Sequence, residues 1–170
     1  MFIRGLPGAG KTTLAKHIEA FFDVVRLDPD EIKLSGLILK GERLKTVKYR
    51  QLLKTCVASI NSGNSVVWSQ PWRKPENIKL TADNIVALSK NPIKPPHFLV
   101  VEIDIDKQTS WKRSRNKFSS KSNFDNYISR HSNCDLEIQF LKINGNLTQK
   151  AVSILCDKFI IRSTQDKQIK

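Results

Sequence analysis

Eight residues near the start of the chain restrict its possible folds more than any other feature. Residues 5–12 read GLPGAGKT and fit the pattern G-x-x-x-x-G-K-S/T, directly after a strand-like run at residues 1–3 and before an amphipathic helical pattern. The glycines allow a tight loop whose backbone N–H groups point at an anion, and the following helix presents its positive N-terminal end to it. The sequence therefore predicts a phosphate-binding loop (P-loop) that takes a nucleoside triphosphate.

Separate roles follow for the residues of this loop. Lys11 is predicted to reach the β- and γ-phosphates of ATP, and the Thr12 hydroxyl is predicted to ligate Mg²⁺. The other residues predicted to line the nucleotide are Gly5, Pro7, Gly8, Ala9, Gly10 and Thr13. The guanine-reading pattern N/T-K-x-D is missing from the sequence, which favours ATP over GTP. ATP and Mg²⁺ are therefore the expected cofactors.

Short apolar runs alternate with helical patterns along the chain, which is typical of a parallel sheet covered by helices on both faces. The runs predicted as strands are residues 1–4, 24–28, 65–69, 98–104 and 140–143. The helical faces are predicted from Leu14, Ile18 and Phe21; Leu53, Cys56, Val57 and Ile60; Ile78, Ala82, Ile85 and Leu88; and Leu147, Ala151, Ile154 and Leu155. The predicted fold is a three-layer αβα domain with a five-stranded parallel sheet over residues 1–162. Residues 163–170 are expected to form a frayed polar tail.

The composition leaves the partner open and favours a reducing compartment. A net charge of +13 indicates either a polyanionic partner such as nucleic acid or a compositional bias, since 20 of the 29 basic residues are lysine. The three cysteines, Cys56, Cys134 and Cys156, form no C-x-x-C pair and are expected to be free thiols. No apolar run approaches the ~20 residues of a membrane span. A cytoplasmic protein without membrane association is expected; its oligomeric state is left open.

Two carboxylates, Asp28 and Asp30, follow the second predicted strand. Ligands of open α/β sheets bind at the carboxyl ends of the strands, where these side chains are expected. A phosphotransferase needs a carboxylate there to orient an acceptor hydroxyl and take its proton. Asp30 fits that catalytic role, and it also fits the N-cap of a helix that begins at Glu31. The two roles are compatible.

Four segments give the chain a resemblance to a known family. They read GLPGAGKTT (5–13), LDPDEIK (27–33), SQPWRKPENIK (69–79) and FLVVEIDIDKQTSWKRSRNK (98–117). With them the chain resembles the compact P-loop kinases grouped around polynucleotide 5′-kinase, with zeta-toxin-like and gluconate-kinase-like enzymes as relatives. The resemblance implies a P-loop kinase fold in which Asp30 activates the acceptor hydroxyl and Lys33 contacts a phosphate of the acceptor.

The resemblance also implies a small basic lid, at about residues 112–125, that closes over the triphosphate. The stretch KRSRNKFSSKS (112–122) is strongly basic, nearly devoid of core residues, and interpreted as a mobile flap. Asp106 is predicted to cap a helix that carries Trp111, Arg113, Arg115 and Lys117. Arg113 is the first candidate to stabilise charge on the transferring phosphoryl group, with Arg115 and Lys117 beside the nucleotide. The alternative is a solvated basic helix end.

The chain departs from the family after the third strand. Many relatives carry an aspartate there that helps to bind Mg²⁺ through water, whereas this chain has Ser69 and Gln70. Magnesium binding would then depend on Thr12, the nucleotide and Asp28. Loss of activity is consequently one interpretation of the sequence.

Further substrate-binding candidates lie around this position. Gln70, Trp72 and Arg73 are predicted at the edge of the cleft, where Arg73 binds a phosphate and Trp72 either stacks on a base or sugar or packs at the rim. Residues 34–50 are the expected acceptor-binding region. The basic side chains in that region form either a solvated helix face or, with Lys33 and Arg73, a positively lined cleft.

The function predicted from these features is an ATP-dependent kinase. Asp30 acts as the base, Lys11 and Arg113 stabilise charge, and Thr12 ligates the metal. The first candidate acceptor is the 5′-hydroxyl of a polynucleotide or nucleotide. The alternatives are a hydroxyl of a small sugar or metabolite and an activated sugar, as for zeta toxins. The missing acid on the third strand keeps open a different class, a non-catalytic nucleotide-binding module.

Overall fold

A parallel sheet forms the centre of the molecule. The computed structural model describes residues 1–32, 43–90 and 95–165. The strands are β1 (Phe2–Gly5), β2 (Val25–Leu27), β3 (Val66–Ser69), β4 (Leu99–Asp104) and β5 (Gln139–Asn144), in the spatial order β2-β3-β1-β4-β5. Every pairing is parallel, so all five carboxyl ends lie at one edge. The predicted five-stranded parallel sheet is confirmed, and its central strand leads into the P-loop.

Helices cover both faces of the sheet. They are α1 (Lys11–Phe22), α2 (Leu44–Asn61), α3 (Pro75–Leu88), α4 (Lys107–Ser114), α5 (Lys121–Ile128) and α6 (Gln149–Gln165), with a 3-10 helix at Arg115–Lys117 between α4 and α5. The side chains of α1 and α6 pack on one face of the sheet, and those of α2 and α3 pack on the other. Among the described helices, none has the length and hydropathy that crossing a bilayer requires. The three-layer αβα architecture is therefore as predicted.

Alternate residues of the strands supply two apolar clusters. Ile3 of β1 lies in the cluster with α1 and α6, while its neighbour Phe2 lies in the cluster with α2 and α3. This alternation follows from the pleat of a strand, which directs successive side chains to opposite faces. Cys56 and Cys156 are buried in the two clusters, where burial raises the pKa of their thiols to about 11 and about 12. All three cysteines are free, as expected.

Several predicted helix faces are rotated from the observed ones. Phe21, predicted to face the core, is 64% exposed and stacks on His17 instead. In α6 the buried apolar side chains are Val152 and Cys156, four residues apart, so the predicted face is displaced and Ile154 and Leu155 are exposed. Leu88 is exposed at the end of α3. Each of these helices has apolar residues on more than one side, and periodicity alone does not choose between the sides.

The C-terminal boundary also differs from the prediction. The helix α6 continues through Gln165, and Ser163 is buried, so residues 163–165 belong to the helix rather than to a frayed tail. Residues 166–170 lie outside the described part of the chain.

The lid is an ordered pair of helices with a small aromatic core. Phe124 of α5 is fully buried, with ring centroids 5.2 Å from Trp111 and 5.3 Å from Phe118. The predicted basic segment contains Phe118 and ends two residues before Phe124, so its own composition did not reveal this packing. The segment predicted as a mobile lid thus contains helical structure with an aromatic core, and its closure over the triphosphate stays a prediction.

Candidate active site

The P-loop is packed closely against β4 and α4. Gly5 and Gly8 have φ angles of 146° and 73°, which side-chain-bearing residues rarely adopt. A Cβ on Gly5 would lie 2.5 Å from the carbonyl oxygen of Ile103, and one on Gly8 would lie 2.7 Å from Cβ of Arg113. The buried Ser110 hydroxyl donates a hydrogen bond to the Pro7 carbonyl oxygen at 2.8 Å. The two glycines are thus required by space as well as by backbone conformation.

Lys11 lies inside the loop. Its ammonium group donates hydrogen bonds to the carbonyl oxygens of Gly5 at 3.1 Å and Leu6 at 2.9 Å. Burial, and then the positive charge of Lys117, lower the pKa of Lys11 to about 8, against the opposing effect of Asp28 and Asp30. An anion at this position would offer Lys11 stronger, charge-assisted partners than two neutral carbonyls. The lysine is therefore held inside the loop by two neutral acceptors, and its binding to phosphate stays a prediction.

Asp28, which follows β2, links the end of β3 to the first turn of α1. Its Oδ2 atom accepts hydrogen bonds from the hydroxyl of Thr12 at 3.0 Å and from that of Ser69 at 3.3 Å. Its Oδ1 atom accepts one from the backbone N–H of Asp30 at 2.9 Å. The carboxylate is buried, with 7% exposure. Ser69 lies at the end of β3, near the position where many relatives carry an aspartate. Its hydroxyl orients Asp28, which directly follows β2.

The donor set at this point fits a hard divalent cation. A hydroxyl and a carboxylate oxygen lie 3.0 Å apart at Thr12 and Asp28, and Mg²⁺ prefers oxygen ligands, with water and nucleotide phosphates completing its shell. Within residues 1–32, 43–90 and 95–165, no group of three or more His, Cys, Asp and Glu side chains is arranged to bind a metal. Thr12 and Asp28 are the residues here that could hold magnesium together with the phosphates of a nucleotide.

Asp30 faces the space between the P-loop and the lid. Its side chain is exposed, and its charge raises the pKa of both Lys11 and Tyr127, so its carboxylate lies near both side chains. The described residues that follow form a turn, in which Glu31 N–H donates to the Asp28 carbonyl oxygen at 3.1 Å. The carboxylate is thus exposed, and its charge acts on the lysine of the loop.

The basic residues of the lid point in different directions. Arg113 donates a hydrogen bond to the Gly145 carbonyl oxygen at 3.2 Å, after β5 and on the opposite flank of the sheet from Asp30. Lys117, in contrast, lies close enough to Lys11 that its charge is the second cause of the lowered lysine pKa. Arg115 begins the 3-10 helix and is exposed. Arg113 is thus bonded on the β5 flank, while the charge of Lys117 acts on Lys11, and the role of each in stabilising the phosphoryl group stays a prediction.

The predicted position of Trp72 at the cleft edge is wrong. Its side chain is 3% exposed and packs edge-on against Phe2 and Trp68, with ring centroids 5.2 Å and 5.4 Å away. Burial among these rings leaves no face of the indole for a base or sugar. Gln70 is half-buried, and its N–H donates to the Ile3 carbonyl oxygen at 3.2 Å.

On the acceptor side, the predicted residue Arg73 contacts Tyr127, which the sequence did not single out. The guanidinium of Arg73 lies 5.0 Å from the centre of the Tyr127 ring, on α5. Lys48, from the predicted charge run, donates a hydrogen bond to the Pro29 carbonyl oxygen at 2.8 Å, in the turn that carries Asp28 and Asp30. Lys33 lies outside the described residues, as do residues 34–42 of the predicted acceptor region.

A buried ion pair joins β1, which leads into the P-loop, to the neighbouring strand β4. Arg4 is fully buried, lies 3.2 Å from a carboxylate oxygen of Glu102, and donates to the Ser132 carbonyl oxygen at 2.6 Å. His131 beside it has a pKa lowered to about 4 by burial and by the cations Arg4, Lys11 and Arg73. A signal for the pair was present in the sequence, because Arg4 in FIRG and Glu102 in FLVVEID each lie between apolar residues of a strand run.

Comparison with known proteins places this site in a family and a fold. Residues 1–126 match the AAA_33 family model, described as an AAA domain. No curated protein sequence matches the chain. Three similar solved structures are a Janibacter sugar kinase, a gluconokinase from Sinorhizobium meliloti and shikimate kinase from Aquifex aeolicus.

These structures resemble the chain over nearly its whole length. The sugar kinase has a TM-score of 0.67 at 14% identity and covers 94% of this chain and 92% of its own. The corresponding values are 0.68, 11%, 99% and 94% for the gluconokinase, and 0.55, 14%, 99% and 99% for shikimate kinase. The narrower resemblance to polynucleotide 5′-kinase and zeta toxins stays a prediction. With three quarters of its length matched, the chain belongs to the AAA_33 family of AAA domains and has the fold of P-loop kinases.

Proposed function

We propose that this protein is an ATP-dependent kinase that transfers the γ-phosphate of ATP to an acceptor hydroxyl. The observation that carries the proposal is the placement of Asp28 and Asp30. One carboxylate binds the Thr12 hydroxyl beside the loop, and the other is exposed and close to Lys11. A binding module needs the first carboxylate, whereas only a phosphotransferase has a use for the second.

On the nucleotide side, the loop residues bind and orient the triphosphate. The backbone N–H groups of the loop surround the phosphates, without a donor from Pro7, and Lys11 exchanges its two carbonyl partners for phosphate oxygens. Thr12 and Asp28 would hold Mg²⁺, which supplies charge neutralisation at the β- and γ-phosphates. Lys117 approaches from the lid and adds positive charge next to Lys11. Arg113 is assigned to nucleotide binding, on the side of the sheet that carries Gly145.

On the acceptor side, Asp30 orients the hydroxyl and receives its proton. The acceptor oxygen forms a bond to the γ-phosphorus while the bond from that phosphorus to the β,γ-bridging oxygen breaks, and ADP leaves with that oxygen. Negative charge on the transferring group is stabilised by Lys11 and Lys117. Proton transfer by a positioned carboxylate contributes about 10²–10⁴-fold to such a rate.

The replacement of the family's aspartate after β3 by Ser69 and Gln70 does not favour a non-catalytic nucleotide-binding module. Ser69 donates a hydrogen bond to Asp28 at 3.3 Å and so keeps a carboxylate directed at Thr12 from the neighbouring strand. The charge that the missing acid would supply is thus present at the site, on β2 instead of β3. This arrangement supports a competent magnesium site.

Two acceptor classes are proposed, each with its own support. The first is the 5′-hydroxyl of a nucleotide or polynucleotide, which fits the net charge of +13 and the cations near Asp30. The second is a hydroxyl of a small sugar or metabolite. It is supported by the solved structures with this fold, which include a sugar kinase, a gluconokinase and a shikimate kinase.

The test is transfer of label from γ-labelled ATP with magnesium to a panel of acceptors. The panel contains a 5′-hydroxyl oligonucleotide, nucleosides and nucleotides, sugars, sugar acids and shikimate. The kinase proposal predicts labelled product and acceptor-stimulated ADP release with at least one of these compounds. Tight ATP binding without stimulated turnover by any acceptor would support the binding module instead. Salt dependence of oligonucleotide binding then separates the acceptor classes, because neutralised phosphates make binding steeply salt-dependent.

A further inference from the structure

Arg73 is a cation at the proposed acceptor site that has no ionic partner among the described residues. It is half-buried, and its guanidinium lies 5.0 Å from the centre of the Tyr127 ring. Across residues 1–32, 43–90 and 95–165, no carboxylate forms an ion pair with it. By contrast Arg4 pairs with Glu102, and Arg26 pairs with Glu19 and Glu31. A stacked guanidinium keeps its N–H edge available for an oxyanion.

The backbone around Arg73 is strained in a way that fixes this side chain. Trp72 has a φ of 43°, a left-handed conformation that non-glycine residues rarely adopt. Its indole is buried against Phe2 and Trp68, and the next carbonyl oxygen, that of Arg73, accepts a hydrogen bond from Ser132 N–H at 2.9 Å. Strained residues of this kind persist where the surrounding packing enforces them, and they cluster at ligand sites. Here the buried indole sets the direction in which Arg73 leaves the turn.

Tyr127 interacts with both Arg73 and Asp30. The pKa of the Tyr127 hydroxyl is raised, first by burial and then by the negative charge of Asp30, while Arg73 acts in the opposite direction. Both charges thus act on the Tyr127 hydroxyl, and Arg73 contacts its ring directly. His131 is close to Arg73 and Lys11, and its lowered pKa keeps it neutral at physiological pH. The neutral His131 therefore adds no charge next to Arg73.

We propose, on the basis of the proposed kinase function, that Arg73 and Tyr127 bind an oxyanion of the acceptor next to its reacting hydroxyl. The acceptor is then a small hydroxylated molecule that carries a carboxylate or a phosphate, such as a sugar acid or a nucleotide. The guanidinium donates two N–H bonds to the oxyanion, and the Tyr127 hydroxyl donates a third. The anion is held while Asp30 receives the proton of the hydroxyl.

The experiment compares two matched pairs of acceptors, each pair differing by the oxyanion. Thymidine 3′-phosphate is compared with thymidine, and gluconate is compared with glucose. Label transfer is measured for each, and binding is measured by calorimetry in the presence of magnesium and a non-hydrolysable ATP analogue. We expect the anionic member of one pair to be preferred, and the preferred pair identifies phosphate or carboxylate as the recognised group.

Substitutions then assign the preference to the two side chains. Arg73→Gln should raise KM or Kd for the anionic acceptor by about 10- to 100-fold, the loss expected for charged hydrogen bonds, and leave the neutral acceptor unaffected. Tyr127→Phe keeps the ring and removes the hydroxyl, so a smaller loss of about threefold to tenfold is expected. Lys74→Gln is the matched control, because it removes one charge from the exposed neighbouring residue. Thermal unfolding checks that each variant is folded.

The outcomes separate this inference from the proposed kinase function. If acceptors are phosphorylated but the anionic and neutral members are used equally, or if Arg73→Gln behaves like Lys74→Gln, the oxyanion site is wrong and the kinase stands. If no acceptor is phosphorylated, the kinase proposal fails and calorimetry decides the site. Anion binding that Arg73→Gln removes would support the site; no binding, or binding that Arg73→Gln leaves intact, would overturn it.

Discussion

The two sides of the cleft differ in how completely their polar groups are paired. On the phosphate side, Lys11, Thr12 and Asp28 are bound to one another or to the loop, and Ser110 holds the Pro7 carbonyl. On the acceptor side, Asp30 is exposed and Arg73 is stacked on a tyrosine without an ionic partner among the described residues.

The difference in pairing corresponds to a difference in what each side of the cleft recognises. The phosphate side recognises a group common to all nucleoside triphosphates, and its geometry is set before any ligand arrives. The acceptor side leaves its charges available, because the missing partner is supplied by the substrate. Substitutions on the phosphate side should therefore affect ATP for every acceptor, whereas those on the acceptor side should depend on which acceptor is used.

The largest effect is expected from Gly8→Ala. The new Cβ would lie 2.7 Å from Cβ of Arg113, at a φ of 73° that alanine rarely adopts. Strain and clash together should weaken ATP binding by about 100-fold or more, as measured by calorimetry. Gly63→Ala is the matched control, since Gly63 has a φ of 84° with nothing within 4 Å of the added carbon. Gly63→Ala should lower stability slightly and leave ATP affinity intact; equal effects of the two variants on ATP would contradict the packing argument.

A loss of about 100-fold in magnesium-dependent turnover is expected from Asp28→Asn, because the carboxylate bound to Thr12 loses its charge. Turnover measured across magnesium concentrations should show a higher requirement for the ion. Ser69→Ala removes only one of the hydrogen bonds to Asp28 and should reduce turnover by about tenfold or less. A larger effect from Ser69→Ala than from Asp28→Asn would place the metal on β3 rather than on β2.

Lys117→Gln and Arg113→Gln should separate the two directions of the lid. Lys117 lies near Lys11, so its loss should lower kcat by about tenfold. Arg113 bonds to Gly145 on the other flank, so its loss should raise KM for ATP more than it changes kcat. Steady-state kinetics of the two variants checks this assignment. If Arg113→Gln were the variant with the larger loss of kcat, the original prediction from the sequence would be restored.

The smallest effect is a dependence of ATP binding on pH. Burial in the loop lowers the pKa of Lys11 to about 8, so the ammonium that binds phosphate is lost as pH rises through that value. Bound phosphate favours the charged form, so ATP binding should take up a proton and weaken severalfold between about pH 8 and pH 9. Calorimetry in buffers of different ionisation enthalpy measures the proton uptake. Affinity that is constant over this range in the wild type would show that Lys11 is not desolvated by the loop.

Much of the phosphate side was predictable because its residues are adjacent in sequence. The loop pattern fixes Lys11 and Thr12, and the rule that carboxyl ends of parallel strands share an edge brings Asp28 to them. Their contact across 16 residues of sequence is therefore a consequence of β1 and β2 being parallel members of one sheet.

The acceptor side was predicted less well because it is assembled from distant segments. Tryptophan composition does not reveal whether an indole faces a cleft or the core, and Trp72 is buried only because Phe2 and Trp68 lie on the same face of the sheet. The contact between Arg73 and Tyr127 joins a loop after β3 to the end of the lid, which no local pattern encodes. The left-handed backbone at Trp72 likewise has no sequence signal of the kind that glycine provides.

The most direct test of the account is Asp30→Asn, with Glu31→Gln as its control. Both remove one carboxylate charge from the same turn, but Glu31 is paired with Arg26. We predict that Asp30→Asn reduces acceptor phosphorylation by about 10²–10⁴-fold with ATP affinity preserved, and that Glu31→Gln stays close to wild type. Phosphorylation that persists in Asp30→Asn at the wild-type rate would contradict the claim that this carboxylate receives the acceptor's proton.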